Sequence, residues 1–419
     1  MEVYKPHRLV FTPAKRCAIK RLWPMMGFMA WSAQGHAQTI PPEANKGIAP
    51  FANATYTYDS NLLNRSEDDP VNQPQSDQVT RLEVGTYLNY RLERQKFTGQ
   101  VSFIDNRHQR FEERNTQGNS HRLRWDTEIG KTLTGSLEGS SISDQAPIQT
   151  GQVTAIKRDQ DKIAATLDWN FHPNFAVVSE YNNIETRFEG QEESNNAVLQ
   201  GLNREDELRA VGVAYQPGTG STTALLFKES TGDFPARQIV GPGQTVSNNF
   251  EQSEVEWLTK WNYSAITRLT LSLSSVKRQH EEIQSRDFSG TNYRVEVFYK
   301  PTVKTNFTAS FGKQIIGVSD ATNSDALARQ LVLAMNMELT SKVKLQLAYV
   351  PQQLQFNGTD GFNTLPRTDR LKELIAGLEF KAAPKVTLGA NLRKRDRDST
   401  LANTDYSAYS MNVFARYEY

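Results

Sequence analysis

Cysteine is nearly absent from this chain of 419 residues, in which Cys17 is the only one. Cys17 lies in a basic N-terminal stretch that we expect to be removed during export. The remaining chain then has no thiol, which excludes disulfides, a cysteine nucleophile and a cysteine zinc site. A secreted chain without cysteine is more typical of the bacterial envelope than of a small disulfide-stabilised scaffold.

Long apolar runs and an excess of one charge are also missing. After Ala37 no stretch approaches the ~18 to 20 apolar residues of a transmembrane helix, and the mean hydropathy is −0.60. This excludes helical membrane insertion and leaves a soluble exported protein or a closed β-barrel, which also satisfies its backbone within lipid. The 48 basic residues oppose 47 acidic ones for a net charge of +1, so nothing indicates nucleic acid binding.

The N-terminus has the three parts of a secretory signal peptide. Basic residues up to Arg21 precede an apolar run over 22–31, and the small residues Gly35 and Ala37 follow. We predict cleavage after Ala37, so that residues 1–37 are the signal peptide. Residues 38–47 then form a short periplasmic segment, and 48–419 form the β-barrel.

The C-terminal segment alternates in polarity. Its apolar residues fall on one parity and its polar residues on the other, so a strand here has one face suited to lipid and one suited to water. The last residue is the aromatic Tyr419, which resembles the closing strand of bacterial outer-membrane barrels that the barrel assembly machinery recognises. The apolar parity contains Tyr409, Met411, Val413, Ala415, Tyr417 and Tyr419.

Similar alternating segments recur from residue 48 to the end, and short and long connections alternate between them. A soluble sandwich has no reason to alternate its connections, whereas outer-membrane barrels have short periplasmic turns and long extracellular loops. Eight short and nine long connections imply eighteen strands, with sixteen as the lower bound, in an all-β antiparallel transmembrane barrel. The short connections are predicted at 92–95, 131–134, 172–174, 216–220, 262–266, 301–304, 340–343 and 382–385.

Aromatic residues gather beside the predicted short turns. In a membrane barrel they would form a girdle at the periplasmic interface, and the alternative is ordinary packing in the core of a sheet. The residues concerned are Trp169, Phe171, Trp261, Tyr299, Phe380 and Tyr419.

We find no pattern of catalytic or metal-binding residues. The histidines after the signal peptide have neither a nucleophile motif beside them nor metal-ligand spacing. They are predicted to be solvated residues of loops and turns, so we expect no enzyme activity, metal or cofactor. These histidines are His108, His121, His172 and His280.

The polar parity of the strands mixes both charges and is predicted to line the interior. A sheet of sixteen to eighteen strands encloses an aqueous interior, where interspersed charges suit hydrated sugars or small polar solutes. Arg209 and Glu207 are included in this inner set. The residues predicted to contact a passing polymer by hydrogen bonds are Arg122, Arg124, Glu254, Glu256, Arg294 and Arg393.

The first predicted strand contains the stretch Tyr56-Thr-Tyr58-Asp-Ser-Asn-Leu-Leu63. This stretch resembles the opening of the EpsL-type outer-membrane proteins of exosortase-associated exopolysaccharide operons. The resemblance implies an outer-membrane barrel through which a secreted polysaccharide leaves the cell, without residues for catalysis. A dedicated exporter of a polyanion would be expected to have a basic interior, whereas the charges predicted here are balanced.

Three functions therefore stay open. Export of an exopolysaccharide is the main prediction, and a general or substrate-specific porin and a structural or adhesive barrel are the alternatives. The predicted partners are the polysaccharide chain, outer-membrane lipid and lipopolysaccharide, the barrel assembly machinery and periplasmic export components. An exporter would have a gated interior, and the long connections at 186–204 and 230–249 are long enough to plug it.

Overall fold

The computed structural model describes residues 47–66, 75–146, 154–190, 199–241, 243–317, 325–356 and 367–419. The predicted signal peptide, 1–37, and all of the predicted periplasmic segment except Gly47 lie outside these ranges. Within them, no helix has the length and apolar character needed to cross a membrane.

In the described residues, the regular structure consists mainly of twenty strands and two short 3-10 helices. The 3-10 turns, Glu112–Arg114 and Gln284–Arg286, lie in connections between strands. The strands are β1 Gly47–Asp59, β2 Asp77–Leu92, β3 Gln95–His108, β4 Thr116–Ile129, β5 Leu133–Gln145, β6 Ile156–His172, β7 Phe175–Gly190, β8 Arg204–Tyr215, β9 Thr222–Asp233, β10 Gln238–Gly241, β11 Gln244–Val246, β12 Phe250–Asn262, β13 Thr267–His280, β14 Phe288–Tyr299, β15 Thr305–Gly317, β16 Asp325–Glu338, β17 Val343–Phe356, β18 Thr368–Ala383, β19 Val386–Ser399 and β20 Tyr406–Glu418.

Eighteen of these strands form one closed antiparallel barrel. Each strand pairs with its neighbours along the chain, β9 pairs with β12, and β1 closes the barrel by pairing with β20 from Phe51 opposite Glu418 to Asp59 opposite Ser410. The short strands β10 and β11 pair only with each other, within the connection between β9 and β12. The predicted fold and the predicted number of strands are confirmed.

The connections are sorted by length between the two ends of the barrel. All short connections lie at the end where the chain enters β1 and leaves β20, which we call the turn end, and all long connections lie at the opposite loop end. Gly130 has a φ of +63° in the turn between β4 and β5, a conformation that glycine adopts without strain. This distribution confirms the predicted alternation.

The outer face of the barrel is an apolar belt. In β18, for example, Leu374 and Leu378 are about half exposed on the outside, while Glu373 and Glu379 point inward. The aromatic residues predicted to form the girdle lie on this outer face near the turn end, with exposed fractions from 41 to 55%. A belt of this kind is the lipid-contacting surface of a transmembrane barrel.

Hydrophobic packing in the interior is local. Phe51 of β1 stacks on Tyr87 of β2 with ring centroids 4.5 Å apart, and Ala49 joins them in a small buried cluster. Gly85 makes room for the Phe51 ring, because an added Cβ would lie 2.6 Å from Cζ of that ring. The backbone ladder and the outer belt, rather than a central core, therefore hold most of the structure together.

The ladder between β14 and β15 is short. Its register runs only from Tyr293 opposite Lys313 to Tyr299 opposite Phe307. Nearer the loop end β14 stays paired with β13, and β15 stays paired with β16 as far as Gly317. The two strands separate there, and the side-chain oxygen of Asn292 accepts a 3.2 Å hydrogen bond from the backbone N–H of Ile315.

The two faces can be distinguished on one strand by placing the same charge on adjacent residues. Leu347 of β17 faces outward within the apolar belt, and Gln346 faces inward beside Gly377. We expect Leu347→Arg to lower the free energy of unfolding by about 2–4 kcal/mol, because the guanidinium would face lipid. The measurement is a guanidinium chloride titration of the protein folded in phospholipid bilayers.

Gln346→Arg is the matched control, with an expected change within about 0.5 kcal/mol. Equal destabilisation by the two substitutions would contradict this assignment of the inner and outer faces.

Candidate functional site

The structure places all six residues predicted to line a polymer path on the inner face. In β4 the outward side chains of Leu123 and Trp125 alternate with the inward Arg122 and Arg124. The other four lie on the inner faces of β12, β14 and β19 by the same alternation: Glu254, Glu256, Arg294 and Arg393. Their predicted contact with a solute remains a prediction.

Arg122 and Arg124 share one carboxylate. Nη2 of Arg122 lies 2.8 Å and Nη1 of Arg124 lies 2.9 Å from Oε2 of Glu138 on β5. Lys162 of β6 lies 3.7 Å from the other oxygen of Glu138, and Arg124 also donates to Asp126 at 2.9 Å. The register sets this geometry, because Arg124 lies directly opposite Glu138.

Glu256 and Glu254 lie on the same face of β12. Glu256 is only 3% exposed, pairs with Nζ of Lys228 on β9 and accepts a hydrogen bond from the Ser272 hydroxyl on β13. Glu254 accepts a weaker, 3.4 Å hydrogen bond from the Gln252 side chain. The cation and hydroxyl around Glu256 offset the cost of burying its charge.

The arginines of β14 and β19 also have carboxylate partners. Arg294 lies 2.8 Å from Glu296 on its own strand, and Arg393 lies 2.5 Å from Glu373 on β18. Arg393 is the first of three inward arginines at alternate positions of β19. The next two pair with more distant acids, Arg395 with Asp59 of β1 at 2.7 Å and Arg397 with Asp369 of β18 at 2.8 Å.

The six residues therefore line separate sectors of the wall and do not converge on one pocket. Arg122 and Arg124 share Glu138, and Glu254 and Glu256 are neighbours on β12, whereas the other two are apart from these groups. Such alternating charges produce transverse fields and many hydrogen-bonding groups. The sequence indicated the inward charges but not their partners Glu138, Lys228 and Glu373, since pairing depends on cross-strand register.

The prediction that Arg209 and Glu207 face inward was wrong. Both share the parity of Val211 and Val213, which lie on the outer face of β8, and the Arg209 side chain is 70% exposed. The apolar belt of β8 ends at Val211, and the strand continues toward the loop end with charged residues on its outer face. Because Arg209 and Glu207 are charged, the prediction assigned them to the inner face, although they belong to the charged end of the outer face.

The prediction that the histidines are solvated was also wrong for two of them. His108 and His280, at the loop-end termini of β3 and β13, are each 6% exposed. Nδ1 of His108 lies 2.9 Å from Asp77, and Nε2 of His280 lies 3.2 Å from Asp325. His121 and His172 are exposed.

The two buried histidines belong to one repeated motif. In each copy the histidine is followed by a buried Phe111 or Ile283, then by a buried arginine, then by Asn115 or Asp287. The side-chain oxygen of that last residue accepts a hydrogen bond from the backbone N–H of the histidine, at 2.7 Å for Asn115 and 2.8 Å for Asp287. The repeated spacing at 108–115 and 280–287 was the sequence signal for these buried residues.

The arginines of the motif tie each connection to a neighbouring one. Arg114 donates to the carbonyl oxygen of Thr154 at 3.1 Å, and Arg286 donates to the Asn248 side chain at 2.6 Å. Each arginine is 1% exposed. Burial lowers the pKa of Arg114 to about 10, so that it remains charged at neutral pH.

The predicted plug from 230 to 249 is only partly described. Arg237 in this connection binds both carboxylate oxygens of Glu282, at 2.8 and 2.6 Å, and the N–H of Ser247 donates to the same carboxylate at 3.0 Å. These contacts hold the connection against its neighbour at the loop end. In the other predicted plug, 186–204, residues 191–198 lie outside the described residues.

A metal site is not evident in the part of the chain that the structure describes. No group of three or more histidine, cysteine, aspartate or glutamate side chains there is arranged to hold an ion. What the inner wall offers chemically is charge and hydrogen bonding.

Comparison with known proteins supports a porin-like barrel. Residues 272–419, from within β13 to the end of β20, match the model of a family described as "Putative beta-barrel porin 2". No curated protein matches the chain. The matched residues are about a third of the chain and span β13 to β20, which are eight of the eighteen barrel strands.

Several solved structures are similar in fold. Pseudomonas aeruginosa OpdK, determined with vanillate, has a TM-score of 0.48 and 9% identity, over 89% of this chain and 99% of that chain. P. aeruginosa OccK2 (OpdF), in complex with glucuronate, has a TM-score of 0.49 and 9% identity, over 89% of this chain and 98% of that chain. Acinetobacter baumannii OccAB4 has a TM-score of 0.49 and 9% identity, over 90% of this chain and 100% of that chain.

Removing the carboxylate shared by Arg122 and Arg124 is expected to alter ion selectivity. Glu138→Gln leaves two guanidinium groups without their common counter-charge on the inner wall. The reversal potential in a salt gradient across a planar bilayer should shift toward anion selectivity. Glu185→Gln, which removes a carboxylate from the outer face of β7, should leave the potential unchanged; a shift of equal size in this control would refute the assignment.

The contact between Arg237 and Glu282 is expected to depend on pH. Arg237 lowers the pKa of Glu282, so the contact is fully formed above the ordinary pKa of glutamate and is lost as pH falls through the lowered value. Hydrogen exchange of the Ser247 amide should therefore lose protection at acidic pH in the wild-type protein. In Glu282→Gln the protection should be weak and independent of pH, and an unchanged acidic transition there would contradict this assignment.

Proposed function

We propose that this protein is a selective diffusion channel of the bacterial outer membrane for small polar and charged solutes. The observation that carries the proposal is the inner wall, where arginine and lysine side chains alternate with carboxylates on β4, β5, β12, β14, β18 and β19. Turn and loop ends correspond to the periplasmic and extracellular sides.

The size of the barrel supports a channel. Eighteen strands enclose more space than their side chains can fill, unlike the interior of an eight-stranded barrel. Arg122 retains 42% exposure of its side chain although it points inward, so water reaches this part of the wall. Charged groups along such a path replace part of a solute's hydration shell as it passes.

The paired charges support selection rather than unspecific leakage. The pairs Arg124–Glu138 and Arg393–Glu373 each place a cation and an anion on neighbouring strands, so their fields are directed across the path rather than along it, whereas Arg294 and Glu296 pair along β14. A solute carrying both hydrogen-bond donors and acceptors can align with such fields, whereas an apolar solute gains nothing from them. The family matched by residues 272–419 is consistent with this proposal.

Export of an exopolysaccharide is the second candidate, and it depends on the resemblance at Tyr56 to Leu63. In the structure the polar residues of this stretch have local roles: Asp59 binds Arg395 at 2.7 Å, and Asn61 bonds both the backbone N–H and the carbonyl of Arg65. These contacts fix the loop end of β1. They account for the polar residues of this stretch, so binding of a polymer is not needed to explain them. The polymer, the periplasmic export components and recognition of β20 by the assembly machinery remain proposals.

The test is the conductance of the purified, heat-modifiable protein in planar bilayers. We expect a steady open channel whose current is reduced by small charged solutes and is indifferent to long neutral saccharides. Block by long saccharides together with indifference to small solutes would favour export instead. Absence of any conductance from correctly folded protein would refute a channel and favour a structural barrel.

A further inference from the structure

Most cations on the outer face of the barrel near the loop end have a carboxylate partner. Lys157 of β6 lies 3.0 Å from Asp159, and Lys394 of β19 lies 3.4 Å from Asp396. Arg187 of β7 lies within 3.0 Å of two carboxylates. These pairs neutralise charge on the exposed wall beyond the apolar belt, where each contributes little to stability.

Lys313 of β15 and Arg329 of β16, which we call the outer cation pair, differ from these cations. They share the outward parity of Phe311 and Leu333, which are 47% and 44% exposed. The two cations lie directly opposite each other in the register of their strands. Among the described residues, neither has a carboxylate oxygen within 4.0 Å. Like charges in directly opposed positions destabilise a sheet, so an anion placed between them would be stabilising.

The outward neighbours along the same row of paired residues do not neutralise this pair. Arg329 lies opposite the uncharged Gln353 of β17, and Gln353 lies opposite a third cation, Arg370 of β18. The first acidic residue in the row is Asp398 of β19, opposite Arg370. Asp398 lies 3.8 Å from Lys372, so it is shared with another cation. The positive charge at β15 and β16 is therefore left without a counter-charge in the described part of the wall.

Beyond the outer cation pair, the two strands lean into the barrel. The next residues of outward parity, Ile315 and Leu327, are only 7% and 9% exposed. Asp325 has the same parity on β16, yet it lies 3.4 Å from Nη1 of Arg278 and 3.2 Å from Nε2 of His280, both on the inner face of β13. The cation pair is therefore the last outward-facing pair of these strands and lies at the edge of the outer wall, directly beyond the apolar belt.

We propose that the outer cation pair binds the phosphate group of a lipid in the outer leaflet of the membrane. The guanidinium and the ammonium would donate hydrogen bonds to the phosphate oxygens, and the acyl chains of the same molecule would lie along Phe311 and Leu333. A free phosphate ion would make only the first of these contacts, at an exposed site where charge pairs are weak. The inference requires the loop end to be extracellular and is independent of what passes through the interior.

The test is the affinity of the purified, folded protein for bisphosphorylated lipid A in a nonionic detergent, measured by native mass spectrometry. The same lipid with both phosphates removed is the control probe, and inorganic phosphate at the concentration of the lipid is the competitor. We expect the phosphorylated lipid to bind about tenfold more tightly than the dephosphorylated one, and inorganic phosphate to leave its binding unchanged. Equal binding of the two lipids, or displacement by inorganic phosphate, would overturn the inference.

The double variant Lys313→Gln/Arg329→Gln should lose about tenfold in affinity for the phosphorylated lipid. The matched control Lys157→Gln/Arg187→Gln removes two outward cations that already have carboxylate partners, and its affinity should stay within about twofold of wild type. The exchange Lys313→Arg/Arg329→Lys keeps both charges and should retain binding. Equal loss in the double variant and the control would refute the assignment to this pair. The comparison of the two lipids on the wild-type protein tests the inference even when a variant does not fold.

Discussion

The structure depends on one constraint: a strand within lipid must give every backbone N–H and C=O a partner from another strand. An open sheet cannot meet this requirement, because its two edge strands each leave a row of polar groups unpaired. Pairing of β1 with β20 removes those edges and joins the first described residues to the last. Because the backbone ladder holds the strands together, the interior does not need a packed hydrophobic core, and its side chains can be charged.

Because the interior has no central hydrophobic core, the inner wall can hold both opposite charges and like charges in facing positions. Where carboxylates lie opposite cations, as Glu138 lies opposite Arg124, the pair neutralises itself and costs the fold little. Where Arg91 lies opposite Lys96, like charges face each other across one ladder, and the carboxylate-bearing Asp126 lies opposite Lys96 on its other side.

Much of this fold was predictable from sequence, because a period of two and alternating connection lengths are local signals. The face of Arg122 and Arg124 follows from their alternation with Leu123 and Trp125. The partner of Arg395 could not be predicted in this way, since Asp59 lies at the other end of the chain and meets it only after closure. The outward position of Arg209 was misjudged because polarity changes along β8 where the strand leaves the apolar belt.

The buried histidines show a different limit. His108 and His280 lie in polar stretches that suggest solvent exposure, and in the fold they contact Asp77 and Asp325, the first residues of β2 and β16. Local composition describes a residue's neighbours in the chain and not those that fold over it. The sequence signal for these two sites was the spacing that segments 108–115 and 280–287 share.

The short ladder between β14 and β15 has a mechanical consequence. In most of the barrel the rim can widen only by breaking cross-strand hydrogen bonds. These two strands are already separate toward the loop end from the pair Tyr293 and Lys313, where among the described residues one hydrogen bond, from the Ile315 N–H to the Asn292 side chain, joins them. The loop end is therefore most compliant at this position. A bulky solute at the loop end would separate the barrel wall first between β14 and β15, where the Asn292 hydrogen bond would break. The ladder from Tyr293 to Tyr299 would limit how far the two strands separate.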